Sequence, residues 1–349
     1  MSILVTGGAG YIGSHTCVEL LNAGYEVIVL DNLANSNQEV LKRIEALTDQ
    51  KVLHYQRDMC HQGVLEEIFR RHSIEAVIHF AGLKAVGESV AEPLKYYATN
   101  VMGALSLCEV MAHFNVKKLV FSSSATVYGS LENVPLPENV PLSATNPYGR
   151  TKLMIEHILN DIYRADPSWS IAKLRYFNPV GAHPSGLIGE DPHGMPNNLV
   201  PFITQVAVGK RQSVIIFGND YDTCDGTGVR DYVHVMDLAH GHLKALKSVL
   251  ETTGVEAYNL GTGKGYSVLQ MIHAFEKVTG RSIPYTVTNR RPGDVAMSYA
   301  DPAKAQRILG WTAHRNLEKM CEDAWLWQRN NPDGYATEVP RWDNVSAPI

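Results

Sequence analysis

The stretch Gly7-Gly8-Ala9-Gly10-Tyr11-Ile12-Gly13 decides the fold, because it joins a short apolar run, Ile3 to Thr6, to a segment of helical periodicity, Ile12 to Ala23. Glycines at this spacing let backbone amides approach a pyrophosphate, and the start of the following helix adds partial positive charge. A glycine run alone would equally suit a tight turn. Its place between a strand and a helix favours a dinucleotide site.

Outward from this stretch, the first half of the chain alternates β-branched runs with helical periodicity. Further strands are predicted at Val27 to Leu30, Val52 to Gln56, Ala76 to Phe80 and Leu119 to Ser122, and further helices at Gly63 to His72 and Leu94 to Phe114. This alternation predicts an α/β fold with a Rossmann-type, doubly wound parallel sheet. Its ligand should lie at the carboxyl ends of the strands.

The pattern changes after about residue 178, where prolines and glycines become frequent. We expect a dinucleotide-binding domain over residues 1–177 and a smaller mixed α/β substrate lobe over residues 178–349. Segments near 232–242 and 258–261 are candidates to rejoin the first domain.

The composition indicates a globular protein with a small polar ligand. Of the 349 residues, 45% are hydrophobic and 19% charged, and the net charge of -5 gives no reason to expect nucleic acid or an anionic membrane as partner. The chain begins without a signal-peptide pattern and contains no membrane-spanning run, so we expect a cytoplasmic protein. The five cysteines and 14 histidines show no spacing typical of a metal site or a disulfide framework.

Asp31 predicts the identity of the cofactor. It ends the second predicted strand, 18 residues after Gly13, where a carboxylate can accept hydrogen bonds from an adenosine ribose. No nearby Arg or Lys is placed to receive a 2′-phosphate, which favours NAD over NADP; an aspartate that only caps a turn is the alternative. Asp58 and the run Phe80 to Lys84 follow the next two strands, so adenine and phosphate contacts are expected there as well.

A catalytic tyrosine is predicted at the start of a later helix. Asn146-Pro147 is typical of an N-cap and first helical position, and the spacing of Tyr148 and Lys152 places both on one helix face. Lowering a tyrosine pKa by ~3 units requires ~4 kcal/mol. One positive charge about 6 Å away supplies roughly 2.8 kcal/mol at an effective dielectric near 20, so lysine and an oxidised nicotinamide together suffice. Ser124, beyond the fifth strand, could share the substrate proton.

These residues resemble the extended short-chain dehydrogenase pattern, and the runs from Thr6 to His15, His79 to Ser89 and Arg175 to Ala182 are similar to UDP-glucose 4-epimerases. The resemblance extends through about Tyr335. It implies that Tyr148, as phenolate, takes the C4 hydroxyl proton while hydride passes to NAD, after which the 4-keto sugar turns its other face and recovers both. It also implies a role in galactose metabolism and a homodimer formed through helices around Leu94 to Phe114 and Leu153 to Tyr163.

The resemblance also assigns site residues. The implied cofactor contacts are Gly7, Gly10, Tyr11, Ile12, Gly13, Asp31, Asn32, Asn35, Ser36, Asp58, Met59, Phe80, Ala81, Gly82, Lys84, Asn100, Ser122, Tyr148, Lys152 and Tyr176. The implied contacts to a UDP-sugar are Ser124, Asn178, Asn198, Leu199, Phe217, Arg230, Tyr232, Arg291, Asp294 and Ser298.

Two positions depart from the family pattern. Many relatives carry paired asparagines where this chain has Thr99-Asn100, so only Asn100 is carried over. Ser298 occupies the position of a bulky tyrosine in strict glucose and galactose epimerases. The serine leaves space beside the C2 substituent and predicts turnover of UDP-GlcNAc and UDP-GalNAc, unless a neighbouring side chain such as Met297 or Tyr299 fills the gap.

Three other functions remain open from the sequence. A sugar-nucleotide 4,6-dehydratase would be expected to carry an Asp-Glu pair where this chain has Ala125-Thr126. UDP-glucuronate decarboxylases and 4-epimerases need donors for a C6 carboxylate, which the sequence does not locate. An NAD-sensing binding protein of the same fold often lacks the Tyr-Lys pair that is present here.

Overall fold

The structure, a computed structural model, describes residues 1–131, 133–291 and 294–336. The elements of the first half are, in chain order, strand β1 (Ser2–Thr6), helix α1 (Tyr11–Asn22), β2 (Glu26–Leu30), α2 (Glu39–Thr48), β3 (Leu53–Tyr55), α3 (Gln62–Arg71), β4 (Ile74–His79), α4 (Val86–Ala91), α5 (Pro93–Tyr96), a π-helix (Tyr97–Met102), α6 (Gly103–His113), β5 (Lys118–Ser124), a 3-10 helix (Ala125–Tyr128), α7 (Pro147–Ala165) and β6 (Ser170–Tyr176).

The elements that follow are β7 (Asn178–Val180), α8 (Leu199–Ala207), β8 (Val214–Phe217), β9 (Val229–His234), α9 (Val235–Glu251), β10 (Gly254–Leu260), β11 (Gly265–Ser267), α10 (Val268–Thr279), β12 (Tyr285–Thr288), β13 (Met297–Ser298), α11 (Ala303–Leu309), α12 (Leu317–Asn330) and a 3-10 turn (Gly334–Ala336).

Seven parallel strands form the main sheet in the order β10-β6-β5-β4-β1-β2-β3. The strand order reverses between β1 and β4, which opens a crevice at their carboxyl ends. Because the strands are buried on both faces, they are nearly continuous apolar runs, as in β1 and β2. The predicted α/β class with a doubly wound parallel sheet is confirmed.

The predicted helix from Leu94 to Phe114 is not continuous, which corrects that boundary. Pro93 begins α5, a π-helical turn covers Tyr97–Met102, and α6 starts at Gly103. Hydrophobic periodicity does not distinguish a π turn from α-helix, because the apolar face stays nearly the same. The π turn contains Thr99 and Asn100, the departure noted in the sequence.

Later segments return to the main sheet. Strand β10 pairs with β6 along its whole length, and α9 packs against α1, β5 and β6. The remaining strands form a four-stranded sheet from β7, β9, β11 and β13, and a pair from β8 and β12, around a separate apolar core. The division into domains at residue 177 stays a prediction.

Apolar side chains fill both faces of the main sheet. The C-terminal tryptophans Trp311, Trp325 and Trp327 are buried, as expected for core residues. Across the described ranges, none of the helices combines the length and apolar character needed to cross a membrane.

Candidate active site

A long cavity follows the carboxyl edge of the main sheet. Its lining includes nearly all the predicted cofactor residues, namely Gly7, Gly10, Tyr11, Ile12, Gly13, Asp31, Asn32, Asn35, Ser36, Asp58, Met59, Phe80, Ala81, Gly82, Lys84, Ser122, Tyr148, Lys152 and Tyr176. The strand ends of β1, β2, β4, β5 and β6 therefore meet along one surface.

The glycine turn has no room for side chains. A Cβ at Gly7, whose φ is +72°, would lie 2.6 Å from the Ala81 nitrogen, and one at Gly13 would lie 2.3 Å from the Gly7 oxygen. Gly10 is the N-cap of α1 and supplies no side chain, so the amides at the start of this helix face the cavity uncapped. A pyrophosphate is the ligand that such a turn accommodates.

Asp31 holds the loop at the other end of the cavity. Its carboxylate accepts hydrogen bonds from the Ala9 nitrogen (3.0 Å), the Leu33 nitrogen (2.9 Å) and the Ser36 hydroxyl (3.0 Å). An ionised carboxylate has roughly four acceptor positions, so capacity remains for a ribose hydroxyl. The turn-capping role and the predicted ribose contact are therefore compatible.

Asn100 is absent from the cavity lining and lies behind it. Its Oδ1 accepts from the Leu83 nitrogen at 2.8 Å, and its Nδ2 donates to the Leu83 oxygen at 3.0 Å and to Thr151 at 3.1 Å. Thr99, which the sequence analysis passed over, lines the cavity instead. Asn100 thus positions the loop at Leu83 and ties it to α7.

Several lining residues were not predicted from the sequence. Arg57 adjoins a predicted position, whereas Gly189, Glu190, Asp191, Pro192 and Tyr335 come from distant parts of the chain. The segment 189–192 carries no motif, and only the folded chain brings it to the cavity. For Arg57, its place directly before Asp58 was an available signal.

Of the predicted catalytic residues, Tyr148 and Lys152 line the cavity, whereas Ser124, the last residue of β5, is not among the lining residues. The Asn146 side chain caps α7 through the Gly149 nitrogen (2.9 Å), and Pro147 occupies the first turn, as predicted. Ser124 lies close enough to Tyr148 to lower its pKa, and its hydroxyl accepts hydrogen bonds from the Thr126 nitrogen and hydroxyl. One turn after Tyr148, Lys152 donates to the Ser122 oxygen at 2.8 Å. Ser124 and Ser122 belong to the end of β5, so helix α7 and strand β5 form the site together.

Burial raises the pKa of Tyr148, and the neighbouring Ser124 side chain offsets this only in part. Burial also lowers the pKa of Lys152 to about 8. Removing a phenolate from water is costly, so burial acts against the lowering of the Tyr148 pKa that is predicted from the lysine and nicotinamide charges. Burial therefore disfavours the phenolate, and the dependence of its formation on positive charge from Lys152 and a nicotinamide ring stays a prediction.

This lysine pKa gives a pH-dependence prediction. We expect kcat/KM to fall as pH rises through about 8, because deprotonated Lys152 no longer stabilises the phenolate. A profile of kcat/KM from pH 6 to 10 measures this fall on the alkaline side, the alkaline limb. In Lys152→Arg the cation persists to high pH, so any residual activity should lack the limb. An unchanged alkaline limb in that variant would assign it to another group.

The predicted substrate residues gather on the neighbouring small sheet. Asn178 pairs with Tyr232 between β7 and β9, and Ser298 pairs with Arg230 between β13 and β9. Arg230 lies 3.7 Å from the Asp294 carboxylate. Four of these five side chains thus come from adjacent strands, which could not be known from their separation in sequence.

The other predicted substrate residues flank this sheet. The Arg291 guanidinium lies 3.8 Å from the centre of the Phe217 ring. Asn198 is the N-cap of α8, which begins at Leu199. Pro292 and Gly293, which separate Arg291 from Asp294 in the sequence, lie outside the described residues. Among the described residues, His, Cys, Asp and Glu side chains form no group of three that could hold a metal ion.

The fold and the Ser124, Tyr148 and Lys152 site define an enzyme of the short-chain dehydrogenase class. A family model described as GDP-mannose 4,6 dehydratase matches residues 4–324. The UDP-glucose 4-epimerase of Bacillus subtilis (strain 168) is 63% identical over 335 residues, which cover 96% of this chain and 99% of the relative. The chain therefore belongs to the family of that model and, among its relatives, to the UDP-glucose 4-epimerases.

Solved structures agree with this assignment. The UDP-glucose 4-epimerase from Bifidobacterium longum, in complex with NAD+ and UDP, matches with a TM-score of 0.93 and 53% identity, covering 96% of this chain and all of that one (100%). The enzyme from Stenotrophomonas maltophila, with bound NAD and formylated UDP-arabinopyranose, matches with a TM-score of 0.93 and 49% identity, covering 94% and 98% of the two chains. NAD in both relatives agrees with the cofactor predicted from the sequence.

Proposed function

We propose that the protein interconverts UDP-glucose and UDP-galactose by inversion at C4, with NAD retained throughout. The observation that carries this proposal is that Tyr148 and Lys152 both line a cavity whose other residues suit a dinucleotide, with Ser124 next to Tyr148 at the end of β5. The uncapped amides at α1 fit a pyrophosphate, and the remaining capacity of Asp31 fits a ribose. When bound, NAD accepts hydride from C4 and returns it to the opposite face of a transient 4-keto sugar.

The chain's own groups move the proton. Tyr148 as phenolate takes the proton of the C4 hydroxyl and gives it back after the sugar has turned, while the Ser124 hydroxyl bridges to it. Lys152, fixed by the Ser122 carbonyl, keeps a positive charge beside the phenolate. Because the same tyrosine acts in both directions, the reaction requires no second acid or base.

The mechanism requires firm binding of the UDP part of the substrate, for which the small four-stranded sheet and its flanking residues carry the candidate side chains. Arg230 on this sheet and Arg291 beside it are our candidates to bind the diphosphate of UDP, a role suited to guanidinium groups. Firm binding of UDP leaves the sugar as the part free to turn. We place this reaction in galactose metabolism in the cytoplasm.

The direct test is conversion without added cofactor. Purified protein incubated with UDP-galactose should yield UDP-glucose, resolved by chromatography, because the enzyme carries its own NAD. Release of a 4-keto-6-deoxy sugar would indicate a dehydratase. Retention of NAD without any turnover would indicate a binding protein.

We also propose that Ser298 opens the site to N-acetylated sugars. Side chains alternate along a strand, and Met297 and Tyr299 both line a second cavity with Val229 and Gly265 on the opposite face of β13. A Cβ at Gly265 would lie 3.3 Å from the Tyr299 ring, so that ring occupies the far side. Neither neighbour therefore fills the space beside Ser298.

Substitution of Ser298 with tyrosine tests this gate. We expect kcat/KM for UDP-GalNAc to fall by about 100-fold in Ser298→Tyr, since a clash of this kind costs roughly 2–3 kcal/mol, with UDP-galactose changing less than about threefold. Met297→Tyr is the matched control, because it adds similar bulk to the other face and should spare both substrates. Equal turnover of UDP-GalNAc by wild type and Ser298→Tyr would overturn the gate.

A homodimer is the third proposal. Large apolar side chains are exposed on α5, the π-helix and α7, with Leu94 83%, Met102 62% and Met154 43% exposed. A second copy of the same face would cover them. Light scattering should give twice the chain mass, and the pair Leu94→Glu and Met102→Glu should give the monomer. A wild-type monomer at micromolar concentration would refute the dimer.

A further inference from the structure

Glu190 links the cofactor cavity to the predicted uridine site. Its Oε1 accepts from the Lys84 ammonium at 3.1 Å and from the Asn198 amide at 2.8 Å. Lys84 lines the cofactor cavity, and Asn198 is one of the residues predicted to hold UDP. A single carboxylate oxygen therefore joins residues assigned to two different ligands.

The Asn198 side chain bonds to Glu190 and does not cap helix α8. Asn198 is the N-cap of α8, a position where an asparagine side chain usually accepts a hydrogen bond from a backbone nitrogen of the first turn. Here the side chain makes no such bond and is directed to Glu190 instead. The Glu190 side chain is 10% exposed, whereas that of Lys84 is 48% exposed. The carboxylate is thus largely enclosed, with its cation at the cavity surface.

The backbone on either side of Glu190 is held by the C-terminal region. The Trp327 indole donates to the Glu190 oxygen at 3.1 Å, and Tyr335 donates its backbone N–H to the Asp191 carboxylate at 2.9 Å. A Cβ at Gly189 would lie 2.3 Å from the Trp327 ring, so the two segments are in close contact. With the backbone fixed in this way, the position of the Glu190 carboxylate depends on its two donors.

We propose that Glu190 couples the two sites, so that a bound uridine nucleotide slows the release of NAD; this inference rests on the proposed function. A ligand that orders the Asn198 amide also orders Glu190 and, through it, Lys84 beside the cofactor. Such coupling is reciprocal, so NAD equally tightens the binding of UDP. Because Lys84 also neutralises Glu190, the carboxylate does not repel a diphosphate in the cavity.

The test measures the NAD release rate of the holoenzyme with and without saturating UDP, by assay of free NAD after rapid gel filtration. In wild type we expect UDP to slow release about tenfold, within the usual range of coupling between sites. In Glu190→Ala and in the isosteric Glu190→Gln, the NAD release rates with and without UDP should differ by less than about twofold, whatever their absolute values. Glu256→Gln is the matched control, because Glu256 also pairs with a lysine, Lys304 at 2.7 Å, near the start of β10.

A double variant tests the route. Asn198→Ala should lose the same coupling, and Glu190→Ala combined with Asn198→Ala should lose no more than either alone. A tenfold effect of UDP that persists in both Glu190 variants would overturn the proposal. Wild-type turnover of UDP-galactose with no effect of UDP on NAD release would refute the coupling while leaving the epimerase function intact. Absence of both turnover and UDP binding would refute the function itself.

Discussion

Tyr148→Phe is expected to lower kcat for UDP-galactose by about 1,000-fold or more, which corresponds to roughly 4 kcal/mol in the barrier. Phenylalanine fills the same space but has no group that can exchange the C4 proton. KM and the NAD content should change less than about threefold, because the ring still forms part of the cavity wall. Initial rates and the absorbance of released cofactor measure these quantities.

Tyr163→Phe is the control for this prediction, since it removes a hydroxyl from the same helix, α7, away from the cavity. It should keep wild-type kcat. Residual activity in Tyr148→Phe above about one tenth of wild type would mean that another group accepts the proton, and the assignment of Tyr148 would then be wrong.

Glu156→Ala should lower the free energy of unfolding by about 3–5 kcal/mol. Glu156 follows Lys152 by one helical turn and is buried, with Arg175 donating to it from Nε at 2.9 Å and from Nη2 at 2.6 Å, and Ser123 donating at 2.6 Å. Alanine would leave the buried Arg175 charge without its partner. Urea denaturation monitored by circular dichroism measures the loss.

Asp161→Ala provides the control, because the Asp161 and Arg164 pair on the same helix is exposed and should contribute less than about 1 kcal/mol.

The pH dependence of the unfolding free energy gives a second check on Glu156. Burial alone would raise the pKa of Glu156, but the hydrogen bonds and charge of Arg175 outweigh burial and lower it. The stabilisation is therefore complete above the unfolded pKa of about 4.3 and is lost as pH falls through the lower folded value. In acid, the free energy of unfolding of wild type should lose the contribution of Glu156, whereas that of Glu156→Ala should show no such loss.

The fold was predictable because its signals are local. The glycine turn, the apolar strands and the Asn146-Pro147 start of α7 each depend on residues close in sequence, and each lies where the pattern indicated. The cavity wall near these motifs was predictable for the same reason. Parallel strands bring their carboxyl ends to one edge wherever the chain carries them.

Other features depend on contacts between distant segments. Glu190 and Tyr335 reach the cavity only because α12 holds the segment around residue 190. Asn100 lies in the π turn and its amide bonds to Leu83, a contact that the sequence did not indicate; its contact with the cofactor stays a prediction. The pKa of Tyr148 required its burial, which a spacing of residues does not reveal.

In the proposed reaction, hydride leaves C4 and returns to the same carbon of the same sugar. This can be tested with UDP-galactose that carries deuterium at C4, in ordinary water and without added NAD, with the product analysed by NMR. We expect UDP-glucose that retains deuterium at C4, because hydride does not exchange with solvent. Product with hydrogen at C4 and deuterium lost to water would indicate inversion by proton abstraction, and the hydride mechanism would then be wrong.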